Sequence, residues 1–484
     1  MDNLISLCRQ QYDPETWAER SKKALESLFG SNGGRYNAQV RSRIQFRTPE
    51  YKDGKGVPFS SIIHESNPTS GGYGGMSFVI FPVVGAPPMI AMVVGTQGLS
   101  PDEAILGKPG HSRKMNAITQ WLNSQSSENE PIAWAKRDAV RIDLEVPDNV
   151  RKAYPEYEAV FNKYGREIYG FCIAKEEILE TVLKTFLDFN FEERSVEPLS
   201  KFQKEYKQIK QDYLTQILPT EGHASVTSLL NHRKYVVLQG PPGTGKTRLA
   251  NELLQNEYQG RGMSIQFHPN TTYESFIGGM FPQSTSSELG LNFEVTQGSL
   301  LKAVELAKAT DEKVLLIIDE INRADLAKVL GEAIYSLEPH EDRVIDLPYD
   351  FGGSIGDKLQ IPDNLHILGT MNTADRSIAI LDVAIRRRFA FLNMWPQIEV
   401  VREHGNETTL DYYEKLLSIF IEYASNDAFV LMPGHSYFIT QNSADPGAML
   451  GTDLVPLLKE YLAQGYVANF ADAIHAYIQE VEQL

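Results

Sequence analysis

The eight residues Gly240-Pro241-Pro242-Gly243-Thr244-Gly245-Lys246-Thr247 limit what this chain can fold into more than any other stretch. Ahead of them stands Tyr235-Val236-Val237-Leu238-Gln239, the composition of a strand buried on both faces of a parallel sheet. Behind them, Arg248-Leu249-Ala250-Asn251-Glu252-Leu253-Leu254 reads as a helix. Strand, glycine-rich turn and helix in that order build a phosphate loop. The glycines let successive N–H groups curl around an anion, and the helix N-terminus adds its dipole. Residues Gly240 to Thr247 are therefore expected to hold nucleotide phosphates, with Lys246 on the β- and γ-phosphates and the Thr247 hydroxyl on Mg²⁺.

Further along, Val314-Leu315-Leu316-Ile317-Ile318 runs into Asp319-Glu320. A buried strand ending in two carboxylates predicts one group for Mg²⁺, Asp319, and one to polarise the attacking water, Glu320. A third apolar strand, Leu365–Thr370, delivers Met371-Asn372-Thr373-Ala374-Asp375-Arg376-Ser377. A polar residue at the tip of a strand next to the acidic pair can touch the γ-phosphate or orient water, and Asn372 fits, with Asp375 and Arg376 close behind. Then Ile385-Arg386-Arg387-Arg388-Phe389 places three arginines together. Fixed-charge planar donors suit the oxygens of a phosphoryl-transfer transition state. Arg386 and Arg387 are the candidates, and spacing alone leaves open which arginine acts.

A chain of 484 residues exceeds one ordinary core. Residues 1–190 read as a mixed α/β domain. Met76–Val84 and Met89–Thr96 are strands about a Gly85-Ala86-Pro87-Pro88 turn. Val140, Ile142, Leu144 and Val146 alternate like a half-buried strand, and Ile178 to Leu187 have helical spacing. Leu199, Phe202, Tyr206, Ile209, Tyr213 and Ile217 form one apolar seam on a candidate linker helix within 191–220. An α/β block follows over 221–400, and 401–484 is helical and acidic. The net charge of -17 gathers in the second half, while the first 190 residues are close to neutral. An acidic second half clamps phosphate backbones poorly, so any nucleic acid is expected at the front of the chain. No apolar run approaches the ~20 residues that cross a bilayer, and no signal sequence is evident. Cys8 and Cys172 offer neither a disulfide framework nor a metal spacing. A cytoplasmic protein is expected.

Taken together the boxes resemble the McrB family, in the MoxR-like branch of the AAA+ proteins. Asp319–Ala324 reads DEINRA, Met371–Ser377 reads MNTADRS, and the arginine run ends in RRRF. Gln266–His268, Tyr273–Gly279, Gly298–Leu300 and the GHSYF segment Gly434–Phe438 also look like the family's. The resemblance covers about 225–440. It implies an AAA+ P-loop core with a C-terminal helical lid and a hexameric ring with nucleotide between subunits. It also implies Mg²⁺ with GTP as fuel, although ATP is the commoner AAA+ choice. A separate McrC-like nuclease partner would stimulate hydrolysis. This chain has no convincing nuclease constellation of its own, since Asp311-Glu312-Lys313 lacks an upstream acid on a strand.

Such proteins carry varied N-terminal domains that read DNA, some by flipping a base into an aromatic pocket. Trp121, Trp134 and Tyr73 could stack and Arg41, Arg43 and Arg47 could meet phosphates, yet such aromatics are more often core and such arginines usually a solvated face. No binding residue is assigned there. Two other functions fit the composition: a MoxR-like protein-remodelling chaperone, and a nucleotide-controlled scaffold. The MNTADRS and RRRF boxes favour the restriction motor over the first. An intact Lys246, Glu320 and arginine cluster disfavours the second.

Overall fold

The computed structural model describes the chain apart from residues 31–32, 51–55, 127–130, 285–290, 339–342, 376–382 and 441–444. It divides into two compact units, Met1–Pro219 with Ile421–Ser425, and Thr220–Phe420 with Asn426–Leu484.

The first unit is built on an antiparallel sheet. Its strands are β1 (Ile44–Arg47), β2 (Ser60–His64), β3 (Met76–Val83), β4 (Ala86–Val94), β5 (Ala133–Ala135) and β6 (Ile168–Ile173), in the order β1-β2-β3-β4-β6-β5. Alternate residues face opposite sides of a strand. Phe78, Ile80, Ile90 and Met92 pack with Ile118 and Leu122 of the Pro109–Gln125 helix and Val182 and Phe186 of the Leu179–Glu192 helix. Val79, Phe81, Ala91 and Val93 pack on the other side with Val160 and Phe161. Both faces are covered, which is why β3 and β4 read as continuous apolar runs and not as alternating ones.

Two expectations are corrected here. The turn between β3 and β4 is shorter than Gly85–Pro88, since Val83 pairs with Ala86 and both prolines lie inside β4. The Pro87 and Pro88 carbonyls still accept, from the Tyr157 hydroxyl and the Ala174 N–H. The alternating Val140–Val146 segment is not a strand. Its carbonyls at Arg141 and Leu144 accept from the Lys136 ammonium, and Leu144 N–H closes a turn on Arg141. Those local bonds satisfy the backbone without a sheet edge, leaving Ile142 and Leu144 exposed and Val146 buried.

The Gln203–Leu214 helix lies within the first unit, with Tyr206 and Tyr213 buried. It is tied there by Arg35, which is fully buried. The guanidinium donates twice to Asp188 and once, at 2.9 Å, to Glu205 of that helix, while the Tyr36 hydroxyl donates to Asp188 at 2.7 Å. Removing one partner of such a pair strands the other in an apolar core. Asp188→Ala is expected to cost about 3–5 kcal/mol, visible as a lower thermal midpoint of the full chain. A midpoint equal to wild type would show that the cluster contributes nothing to stability.

The second unit centres on a five-stranded parallel sheet. Along the chain come β7 (Tyr235–Gly240), β8 (Gly262–Gln266), β9 (Gly278–Ser284), β10 (Leu291–Gln297), β11 (Val314–Asp319), β12 (Ile345–Asp346), β13 (Lys358–Leu359), β14 (Leu365–Asn372) and β15 (Ala390–Asn393). The central order is β15-β7-β14-β11-β8, with β9–β10 and β12–β13 as separate two-stranded ribbons. Helices cover both faces of the sheet. Leu300 and Val304 of the Ser299–Lys308 helix pack with Val314 and Leu316. Leu249 and Leu253 of the Lys246–Asn256 helix pack with Leu315 and Ile317. From Ile398 onward the unit is helical. Among the described residues no helix is long and apolar enough to cross a membrane.

Candidate nucleotide site

Strand order decides where the chemistry meets. In open parallel sheets, ligands bind beyond the carboxyl ends of the strands, where the order reverses. β7 delivers the glycine loop, β11 the acidic pair and β14 the Asn372 tip, and β14 lies between the other two. Asn372 stands opposite Gly240 in the register with β7.

The loop takes the form its glycines permit. Gly243 and Gly245 both have φ of +79°, a left-handed conformation costly to a side-chain-bearing residue. The Lys246 ammonium is buried and donates to the carbonyls of Gly240 at 3.0 Å and Pro241 at 2.8 Å, with the Thr244 hydroxyl at 3.4 Å. Burial pushes its pKa down to about 8, against the pull of Glu320 and Asp319. Thr244 closes the turn by donating to Pro241.

The Thr247 hydroxyl donates to Asp319 Oδ1 at 2.7 Å. A hydroxyl and a carboxylate oxygen thus converge at the base of the loop, seventy-two residues apart in sequence. This pair suits Mg²⁺, which takes one or two protein oxygens and completes its octahedron with phosphate and water. Among the described residues no three His, Cys, Asp or Glu side chains gather as an all-protein metal cage.

Glu320 adopts φ +54°, ψ +46° immediately after β11. A left-handed non-glycine residue is strained, and such strain collects where a side chain must be aimed. Its Oε1 accepts from Asn372 Nδ2 at 2.6 Å, while Oε2 has no hydrogen-bond partner among the described residues. Burial lifts the carboxyl above its ordinary pKa, with Arg323, 3.6 Å from Oε2, opposing. Arg323 also lies 3.9 Å from Asp375. The geometry therefore joins Thr247, Asp319, Glu320 and Asn372 directly and reaches Asp375 through Arg323. Arg376 lies outside the described residues.

The three arginines separate. Arg388 is buried, 2.8 Å from Glu338, and donates to the Ala384 carbonyl. Arg387 lies 2.7 Å from the same carboxylate. Arg386 is exposed, carries no ion pair among the described residues, and rests over the Phe391 ring at 5.2 Å.

Two contributors were given no role at the site by the sequence reading. The Thr370 hydroxyl donates to Asp319 Oδ1 at 2.5 Å and accepts from the Glu320 N–H at 3.2 Å, so it orients both acids. A hydroxyl at the buried end of an otherwise apolar strand is the signal that could have found it. The second is the Gly434–Tyr437 segment, which seats on the loop. Gly434 N–H donates to Pro242 and Ser436 N–H to Gly243, at 2.9 and 3.0 Å.

In the first unit, Trp121 is core, Trp134 packs beside Phe171, and Tyr73 lies under Arg47. Arg41 pairs with Glu26, Arg43 reaches the Arg194 carbonyl, and Arg47 donates to the carbonyls of Pro68 and Gly71.

Residues 235–389 match the family model described as AAA domain (dynein-related subfamily). The chain is 29% identical over 375 residues to the "Type IV methyl-directed restriction enzyme EcoKMcrB subunit" of Escherichia coli (strain K12), covering 69% of this chain and 78% of that one. It is 27% identical over 189 residues to the "Type II restriction enzyme BsuMI component YdiS" of Bacillus subtilis (strain 168), covering 32% of this chain and 55% of that one. A solved mutant of Thermotoga maritima RuvB aligns at a TM-score of 0.24 and 16% identity, over 54% of this chain and 73% of that one. With one phosphate loop, one acidic pair and one strand-tip asparagine converging on a β15-β7-β14-β11-β8 sheet, the chain carries an AAA+ P-loop core and is similar to the McrB subunit of a restriction enzyme.

Proposed function

We propose that this chain is the motor of a restriction complex, hydrolysing GTP in preference to ATP within a ring of identical subunits. A separate McrC-like subunit supplies the nuclease, and residues 1–190 recognise DNA, with the 191–220 helix packed on that unit and 401–484 as lid. The observation that carries the reading is the convergence of Thr247, Thr370, Asp319, Glu320 and Asn372 at the ends of three adjacent strands. In this reading Gly240–Thr247 and Lys246 cradle the phosphates, and Thr247 and Asp319 would hold Mg²⁺, whose contribution would be to neutralise phosphate charge. Glu320 accepts a proton from the attacking water, and Asn372 holds that carboxylate in place. Thr370 fixes the direction of both acids.

The ring is supported by Arg386, a cation whose only described contact is an aromatic ring on its own strand neighbour. DNA recognition is supported by a cleft of about 490 Å³ in the first unit, lined by Lys22, Arg41, Arg47 and Phe46 with no acid among the described residues of its wall. A smaller cavity of about 250 Å³ shares Arg47 and Gly71 with it and is walled by Phe59, Tyr73, Phe81 and Tyr164. Cations beside aromatic rings suit a phosphate and a flat base together. Restriction is supported by the two relatives, whose names place both in restriction systems.

Purified protein is expected to turn over GTP faster than ATP, with a Lys246→Ala control inactive on both. Addition of the nuclease-bearing partner should raise the rate. Faster turnover of ATP would overturn the fuel assignment, and turnover surviving in the Lys246→Ala control would overturn the site.

A further inference from the structure

One carboxylate outside the phosphate site gathers three guanidinium groups. Glu338 follows Leu337, which is fully buried in the core that also holds Ile321, Leu330, Ala333, Ile385 and Phe389. The Glu338 side chain is only 13% exposed, and its Oε1 lies 2.7 Å from Arg387, 2.8 Å from Arg388 and 3.8 Å from Arg343. The carboxylate is anchored beside the core and outnumbered by the cations around it. Neutralising the buried Arg388 needs only one of those contacts. Arg387 is 66% exposed, where an ion pair contributes little to stability. Its bond to Glu338 therefore calls for a reason other than stability.

Helix geometry supplies that reason. Val383–Arg388 is helical, and 3.6 residues per turn set successive side chains about 100° apart. A carboxylate that holds both Arg387 and Arg388 fixes how far this short helix is rolled about its axis. Arg386 is then turned about 100° from Arg387, to where it rests over the Phe391 ring at 5.2 Å. Without the carboxylate, Arg343, Arg387 and Arg388 lose the counter-charge they share and repel one another. The roll of the helix is then no longer set, and Arg386 loses its direction.

We propose that Glu338 is a positioning residue for phosphoryl transfer, holding Arg387 and Arg388 so that Arg386 points at the nucleotide of a neighbouring subunit. On this assignment Glu338 acts only through the aim of that arginine. The residues that cradle phosphate stay intact when it is lost. A subunit without Glu338 is thus a sound acceptor of an arginine and a poor donor of one. This rests on the reading of the chain as a ring in which Arg386 acts on a neighbour's phosphates.

The test uses the full chain, with turnover of GTP and ATP and binding of their fluorescent analogues. Glu338→Gln should leave nucleotide affinity and KM near wild type while lowering kcat about a hundredfold, the cost of misplacing a reacting group by about 1 Å. Mixing then separates aim from damage. Glu338→Gln subunits mixed with Lys246→Ala subunits should regain activity, because the latter lend a well-aimed Arg386 to intact sites. Mixed with Arg386→Ala subunits they should stay slow, because neither offers a working arginine. Recovery with Arg386→Ala, no recovery with Lys246→Ala, or a kcat equal to wild type would each overturn the proposal. Glu338→Asp keeps the charge that the buried Arg388 needs and shortens its reach, so it serves where the glutamine variant unfolds. It should melt near the wild-type midpoint, turn over about tenfold more slowly and recover on mixing in the same pattern. Wild-type turnover from Glu338→Asp, or unfolding of both variants, would make Glu338 a packing residue and end the assignment. Full activity of Arg386→Ala would instead overturn the reading of Arg386 beneath it.

Discussion

Replacing Arg386 by alanine is expected to lower turnover by about 10³–10⁵-fold, the value of an arginine supplied to a phosphoryl-transfer transition state, with little change in nucleotide affinity. The argument is one of elimination within a run of three. Arg388 is buried and held by Glu338 and the Ala384 carbonyl, so it cannot leave without exposing a carboxylate in the core. Arg387 shares Glu338 at 2.7 Å and holds its backbone carbonyl 3.4 Å from Arg233. Arg386 is exposed, and the Phe391 face steadies its guanidinium without neutralising it. Arg388→Ala should therefore lower the melting temperature, whereas Arg386→Ala should not. Mixing separates action on a neighbour from action on the same subunit. Arg386→Ala subunits mixed with Lys246→Ala subunits should regain part of the activity, because each repairs what the other lacks at a shared interface. No recovery on mixing, or a larger loss from Arg387→Ala, would move the assignment.

Replacing Glu320 by glutamine is expected to slow turnover by about 10²–10⁴-fold while nucleotide stays bound. The substitution keeps the side chain's shape and its bond partner, since an amide oxygen also accepts from Asn372. It removes only the ability to take a proton from water. The left-handed backbone at Glu320 and the Thr370 hydroxyl on its N–H hold the carboxylate in place before any ligand arrives. Burial raises its pKa, which makes it a better base than an exposed glutamate. Nucleotide retention measured beside phosphate release gives the answer. Release at the wild-type rate from Glu320→Gln would hand the base to another group. Loss of binding would mean that the residue shapes the pocket and does not act on water.

The site was legible in the sequence wherever local chain geometry carries the chemistry. A glycine loop needs its glycines at set spacing to reach φ of +79° twice, so Gly240–Thr247 announces itself. Apolar runs ending in polar tips marked β7, β11 and β14, because a strand buried on both faces has no other composition available. The same logic failed at Val140–Val146, where period-two alternation was present but the carbonyls found Lys136 in place of a neighbouring strand. Periodicity reports which face a side chain would take, not whether a partner strand exists.

What tertiary structure alone decided is every pairing between distant segments. Strand order put β14 between β7 and β11, and so brought Thr370 to Asp319 and Asn372 to Glu320. Glu338 pairs with Arg388 and Arg387, and Arg386 has no ion pair among the described residues. Gly243 and Gly434 let the Gly434–Tyr437 segment come within bonding distance of the loop. Backbone conformation at a glycine or along a buried strand is a property of a few consecutive residues. Which carboxylate meets which cation is settled only when the packed core fixes remote side chains at hydrogen-bond range.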